Sequence, residues 1–141
     1  MSSQKIRILI ADDHSLVRKS IRVLLESQSD MEVVGTAVNG QEAVKLAQDN
    51  TPDIIIMDIT MPEMDGIHAT ERIRALNLPA QVILFSMNVN AVLVQQAVKK
   101  GVSGYVLKQH AAKELPQAIR TVLHGQRYFS PSIPLTYFPS V

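Results

Sequence analysis

Cysteine is absent from the 141-residue chain, so no disulfide framework, thiolate metal site or cysteine nucleophile is available. That absence suits a reducing compartment. Long apolar runs are missing too. No stretch reaches the roughly 18 consecutive apolar residues expected of a membrane-spanning helix. The N-terminal MSSQKIRILIADDH carries a short apolar run that meets two aspartates, unlike a signal peptide. A cytoplasmic location without a membrane partner is expected. Nor does one sign of charge dominate. Lys and Arg total 14 against 13 Asp and Glu, a net charge of +1 with the bases scattered, so this segment offers no footprint for nucleic acid. His14, His68, His110 and His124 lack ligand-like spacing, which disfavours a histidine metal centre.

What the chain does contain is an alternation of short apolar strands and amphipathic helices. Lys5 to Ala11 is apolar and β-branched after its charged start and stops at Asp12-Asp13. Ser15 to Ser27 places Leu16, Val17, Ile21, Leu24 and Leu25 near helical spacing. A strand is expected over Glu32 to Val38, then Asn39-Gly40 as a turn and a helix over Gln41 to Asp49. Ile54 to Met57 is an unbroken apolar run too brief for a helix, which reads as a fully buried parallel strand ending at Asp58. Helix Gly66 to Ala75, strand Val82 to Phe85, helix Val89 to Lys100 and strand Gly104 to Leu107 follow. The last helix carries Leu115, Ala118, Ile119, Val122 and Leu123, and Pro116 places its start near Glu114 or distorts its first turn. Strands and helices in strict alternation require a parallel sheet covered on both faces, a doubly wound α/β domain. Residues 1–130 are expected to form that domain. Residues 131–141, rich in proline and without periodicity, are expected to be extended or disordered.

All strand C-termini of a parallel sheet point to one edge, so Asp12, Asp13, Asp58, Ser86 and Lys108 should converge. Clustered carboxylates repel one another unless a cation sits between them, and a hard cation such as Mg²⁺ suits oxygen ligands. Lys108 and Ser86 add a positive charge and a hydroxyl, which complement a phosphoryl group. A carboxylate is then the nucleophile candidate. Each residue alone has a blander reading: Asp12 or Asp13 as a helix cap, Lys108 as a solvated strand end, and Met57, Met61, Met64 and Met87 as gap fillers. Joint placement at several strand ends outweighs these. Asp65 is read as a plain helix cap.

ADDH after the first strand, D-x-x-M-P-x-M-D-G from Asp58, Ser86, and GYVLK ending at Lys108 closely resemble the response-regulator receiver domain of two-component signalling, over about Lys5 to Pro131. DDHSLVR and GQRYFSP further resemble the NarL/FixJ-type subfamily, whose members usually carry a helix-turn-helix domain after the receiver. The resemblance implies a flavodoxin-like (βα)5 sheet of five strands in order 2-1-3-4-5. It implies that Asp58 takes a phosphoryl group from a histidine kinase or phosphotransfer protein. Asp13 and Asp58 would ligate Mg²⁺ directly, Asp12 through water and Thr60 through its carbonyl. Backbone amides of Ile59 and Met87, with Lys108, would contact phosphoryl oxygens. Ser86 would move toward that group and Tyr105 would swing inward. Output would be transcriptional, with DNA reached only through a further C-terminal domain for which residues 131–141 begin the linker. The chain would catalyse only its own phosphorylation and dephosphorylation.

An aspartate-nucleophile phosphatase needs a D-x-D pair that Asp58-Ile59-Thr60 does not supply, and a nucleotide or flavin binder wants a glycine-rich first turn where Asp-Asp-His-Ser stands. A degenerate receiver is disfavoured because the key positions are filled. A stand-alone receiver acting as a binding module or relay intermediate stays open. Against the family pattern, Gln109 replaces the usual proline, leaving the isomer of the Lys108-Gln109 bond open. Met87, long where a small residue is usual, is placed to cover part of the site. Val89 to Val94 is more apolar than one buried stripe requires, pointing to a phosphorylation-biased contact, a symmetric homodimer.

Overall fold

The computed structural model describes residues 4–138. The elements follow in the order β1 (Ile6–Ala11), α1 (Ser15–Glu26), β2 (Met31–Ala37), α2 (Gly40–Asn50), β3 (Ile54–Asp58), α3 (Gly66–Ala75), β4 (Gln81–Ser86), α4 (Ala91–Lys99), β5 (Gly104–Leu107), α5 (Ala111–Leu123) and β6 (Tyr128–Phe129). Short 3-10 turns occupy Lys108–His110 and Leu135–Tyr137. All neighbouring strands pair in parallel, in the order β2-β1-β3-β4-β5-β6. The five-strand expectation is therefore one short, because the two residues of β6 are too few to show a strand pattern.

Alternation along each strand divides the core in two. Ile8, Ile10, Ile54, Ile56, Ile83, Phe85 and Val106 pack with residues of α1 and α5, including Ile21, Leu25, Leu115 and Ile119. Leu9, Ala11, Ile55, Met57, Leu84 and Tyr105 face the other way, onto α2, α3 and α4. Every residue of β3 is buried, as expected of the central strand. Fully burying each such aliphatic side chain is worth about 1.5–3 kcal/mol, so β3 and its neighbours set the register.

Helix starts follow local chemistry. The side chains of Asn39, Asp65 and Asn90 accept the amides of Glu42, His68 and Leu93, which makes Asp65 a cap as expected and starts α4 at Ala91 rather than Val89. Gly101, at φ 94°, follows the α4 C-cap. α5 begins earlier than Glu114, at Ala111, with Pro116 inside it. The amide that proline lacks would have met the carbonyl of Ala112, an exposed residue that water can serve. Among the described residues there is no cis peptide, so the Lys108-Gln109 bond is trans.

The segment expected to be extended or disordered differs most from its reading. Ile133 is buried, and Tyr137 and Phe138 are partly buried against the core layer that contains α4. The Phe129 and Phe138 rings meet edge to face at 4.9 Å. Proline and the lack of period hid a packing that only tertiary contact supplies. Residues 139–141 lie outside the described residues.

Candidate functional site

Strand order reverses between β1 and β3, which opens a crevice at their carboxyl ends, where open α/β sheets hold ligands. Asp12 directly follows β1 and is fully buried; Asp58 ends β3 and is 4% exposed. Between them stands Lys108, whose Nζ lies 2.7 Å from Asp12 Oδ2 and 3.1 Å from Asp58 Oδ2. The ammonium also sits 5.0 Å from the centre of the Phe85 ring. One partly buried cation thus serves two buried carboxylates, and the exposed Asp13 stands beside them. Asp12, Asp13, His14 and Asp58 each bring one ligand atom within 4.8 Å of the others.

Neither first-strand aspartate caps α1; His14 occupies that position without a side-chain cap. Asp12 Oδ1 instead accepts the His14 amide at 2.8 Å, and His14 Nδ1 lies 3.1 Å from both Asp12 Oδ1 and Asp13 Oδ1. Arg18 Nη1 donates to the Asp12 carbonyl at 2.7 Å, fixing the β1–α1 loop.

Burial raises the Asp58 carboxyl above the usual aspartate range, and the Lys108 hydrogen bond and charge only partly oppose it. Burial pulls Lys108 down, but its bonds to Asp12 and Asp58 prevail and leave it raised. The Thr60 amide points to Asp58 Oδ1 at 3.4 Å.

The loop after Asp58 is clamped at both ends. Gly40, at the start of α2, donates its amide to the Met64 carbonyl at 2.9 Å, and Gly66, at the start of α3, donates to the Ile59 carbonyl at 2.8 Å. A Cβ on Gly40 would stand 2.2 Å from the Met64 carbonyl oxygen, and one on Gly66 would stand 2.2 Å from that of Asp58. Only glycine allows either approach. Met64 N–H closes onto the Pro62 carbonyl at 2.7 Å with Glu63 at φ 68°, a three-residue turn in a region costly for a side chain.

Across the crevice, Ser86 is buried, and its Oγ accepts the Asn88 amide at 3.1 Å. Tyr105, expected to swing inward, is already inside: it is fully buried, and its hydroxyl donates to the Asn88 carbonyl at 2.6 Å. Burial pushes its phenol up to about 12, against a smaller pull from the Ser86 hydroxyl. Met87 lines the crevice with Asp13, Asp58, Thr60 and Lys108 and is 65% exposed, so it stands at the rim. Ile59 and Met87 follow Asp58 and Ser86 directly and so border the crevice from its two central strands.

A doubly wound parallel sheet with three aspartates and a lysine at its switch point defines the receiver class of signalling domains. The chain belongs to that family: the model of the response regulator receiver domain matches residues 8–120. It is 37% identical over 128 residues to the response regulator protein VraR of Staphylococcus aureus, covering 91% of this chain and 61% of that protein. The chain thus spans about three-fifths of the length of this curated relative. Among solved structures, a LuxR-family two-component response regulator from an Aurantimonas species superposes with a TM-score of 0.88 at 39% identity, covering 92% of this chain and 93% of that one. The receiver domain of the putative response regulator NarL from Mycobacterium tuberculosis gives 0.85 at 31%, covering 88% of this chain and all of that one (100%).

The site residues that sequence reasoning missed are Gly40, whose role depends on a loop far along the chain, and the pair Glu114 and Ser130. Ser130 Oγ donates to Glu114 Oε1 at 2.7 Å and accepts the Leu107 amide at 3.1 Å, one residue before Lys108. A serine directly after the Tyr128-Phe129 pair was the only signal, and a weak one.

Proposed function

We propose that Asp58 is the phosphoryl acceptor and that the chain switches conformation when modified. The observation that carries this is the charge imbalance in the crevice, one Lys108 ammonium against buried Asp12 and Asp58 with Asp13 alongside. A permanent ion pair would balance its charges, whereas a site that must accept a cation and a phosphoryl group would keep oxygen ligands in excess. No helix among the described residues is long and apolar enough to cross a membrane.

A phosphohistidine on a partner kinase or phosphotransfer protein would be the donor. An Asp58 carboxylate oxygen attacks phosphorus in line, the N–P bond breaks as the O–P bond forms, and the imidazole leaves to take up a proton. Lys108 meets the equatorial oxygens, and the amides of Ile59 and Met87 stand at the two strand ends that flank them. The oxygen-rich set fits Mg²⁺, which Asp13, Asp58 and the Thr60 carbonyl would hold directly and Asp12 through water. Such an ion would neutralise charge on the transferring group. Ser86 supplies a hydroxyl to the modified aspartate, and Tyr105, within β5, carries the change onward. The added group carries about −1.5 to −2 charges. Carrying a two-state element from 1:99 to 99:1 takes about 5.5 kcal/mol of differential binding, within reach of a new hydroxyl contact and a new cation contact.

The Aurantimonas relative is a two-component response regulator of the LuxR family, which favours transcriptional output through a DNA-binding domain joined after residues 131–141. Intact-mass measurement after incubation with a small acyl phosphate, with and without Mg²⁺, tests acceptor and cation together. One Mg²⁺-dependent adduct, lost in Asp58→Ala, is expected. An adduct that persists in Asp58→Ala overturns the assignment.

A further inference from the structure

The segment after β6 has two parts held by different physics. Ser130 is fixed by three hydrogen bonds: its amide donates to the Tyr105 carbonyl at 2.9 Å, its hydroxyl donates to Glu114, and the Leu107 amide donates to that hydroxyl. Beyond it, the bonds of 131–138 are local, Ile133 N–H to the Ser130 carbonyl, Tyr137 to Pro134 and Phe138 to Leu135. Among the described residues, no hydrogen bond joins 131–138 to the rest of the fold beyond Ser130. What holds this stretch is apolar contact alone. Ile133 is buried, the Leu135–Tyr137 turn lies against α4, and Tyr137 and Phe138 are partly buried in the layer that includes Leu93 and Val98. Leu135 stays 86% exposed. A directional anchor followed by non-directional packing is the construction of a hinge and a detachable strap, because apolar contact gives way without leaving an unpaired polar group.

The hinge is also wired to the crevice. Ser86 Oγ accepts the Asn88 amide, the Asn88 carbonyl accepts the Tyr105 hydroxyl, and the Tyr105 carbonyl accepts the Ser130 amide. A displacement of the Ser86 hydroxyl pulls on the Asn88 amide, and through that residue's backbone on the carbonyl that holds the Tyr105 ring. That ring belongs to the same packed layer as Ile133, Phe129 and Phe138. Close-packed layers answer such a shift by repacking rather than by stretching.

We propose that residues 131–138 are a strap that masks the apolar face of α4, hinged at Ser130, and that phosphorylation of Asp58 releases it. The inference rests on the acceptor reading given above for its trigger, and on the packing of 131–138 for the strap itself. It also revises the homodimer expectation: the α4 face read from Val89 to Val94 is partly taken by the chain's own strap, so self-association through that face competes with 131–138.

The chain contains no tryptophan, so Tyr137→Trp installs a single reporter on the strap. In the unmodified full chain its emission should be blue-shifted and poorly quenched by acrylamide. After acyl phosphate and Mg²⁺ the emission should move to the red, with a several-fold rise in the quenching constant. The same variant carrying Asp58→Ala should not respond. Adding Ile133→Ser should expose the reporter without phosphate, and, since coupling is reciprocal, should favour the phosphorylated form at equilibrium with the donor. Intact mass on each sample separates the two ideas. A stoichiometric Asp58 adduct with unchanged quenching overturns the strap, as does a reporter already fully quenchable before modification. Absence of any adduct overturns the acceptor reading and with it the trigger.

Discussion

The two edges of the sheet use charge in opposite ways. At the amino edge, Arg120 grips Asp30 with Nε and Nη2 at 3.0 and 2.9 Å and gives Nη2 to Gln28 as well. The Asp53 carboxylate there accepts the Arg7 amide at 2.9 Å, and its carbonyl accepts that of Gln81. These groups are solvated and matched, and the Arg120 bonds hold Asp30 below the usual aspartate range. At the carboxyl edge the groups are buried and mismatched, and burial holds Asp58 above that range. Matched, wet charges align chain segments at small energetic cost. Mismatched, dry ones make sense where something else must bind.

That contrast can be broken by removing each edge's cation in turn. Lys108→Ala strands two buried carboxylates and should cost about 3 kcal/mol of stability, the scale for breaking a buried pair. Urea unfolding in chelator should show the loss, and Mg²⁺ should recover part of it. Gly66→Ala forces a Cβ into the Asp58 carbonyl and should cost about 1–3 kcal/mol. Slower phosphorylation should accompany it, because Asp58, the proposed acceptor, is displaced. Glu63→Gly relieves a left-handed residue and should gain up to about 1 kcal/mol, again by urea unfolding.

The smallest effect belongs to the amino edge. Arg120→Ala, exposed on both partners, should cost no more than about 1 kcal/mol at neutral pH. Its signature is in the acid limb. Asp30 is depressed in the folded state, so its stabilisation is present above the ordinary value of 3.8 and is lost as pH falls through the folded value. Arg120→Ala should flatten that limb. Asp58 runs the other way in chelator: its folded value is raised, so its contribution is fullest below 3.8 and is lost as pH rises through the folded value. Asp58→Asn should therefore gain stability over wild type as pH increases through that window. Parallel pH profiles for the two variants would erase the distinction between the edges.

Most of the carboxyl edge could be read in the sequence, because each of its strands is an apolar run that stops at the residue of interest: Ala11 at Asp12, Met57 at Asp58, Phe85 at Ser86, Leu107 at Lys108. Parallel topology then gathers them without further information. The clamp was not readable, since Asn39-Gly40 looks like any turn until the Met64 carbonyl arrives above it. The strap failed for a related reason. Ile133, Tyr137 and Phe138 have no helical or strand period, and their burial is conferred by α4 and β5. The fork of Arg120 on Asp30 also joins residues too far apart for pattern reading.

The paired glycines divide the domain mechanically. With the Met64 carbonyl hydrogen-bonded to the start of α2 and the Ile59 carbonyl to the start of α3, across glycines that let the backbones meet, the wall of the crevice that carries Asp58 is tied to two helices as a stator would be. The opposite wall, from Ser86 through Asn88 to Tyr105, is joined by single hydrogen bonds and is free to act as the rotor. On the proposed switching role, work done at Asp58 would be directed to one side of the molecule, and mutations that soften the stator should let that work leak away before it reaches α4.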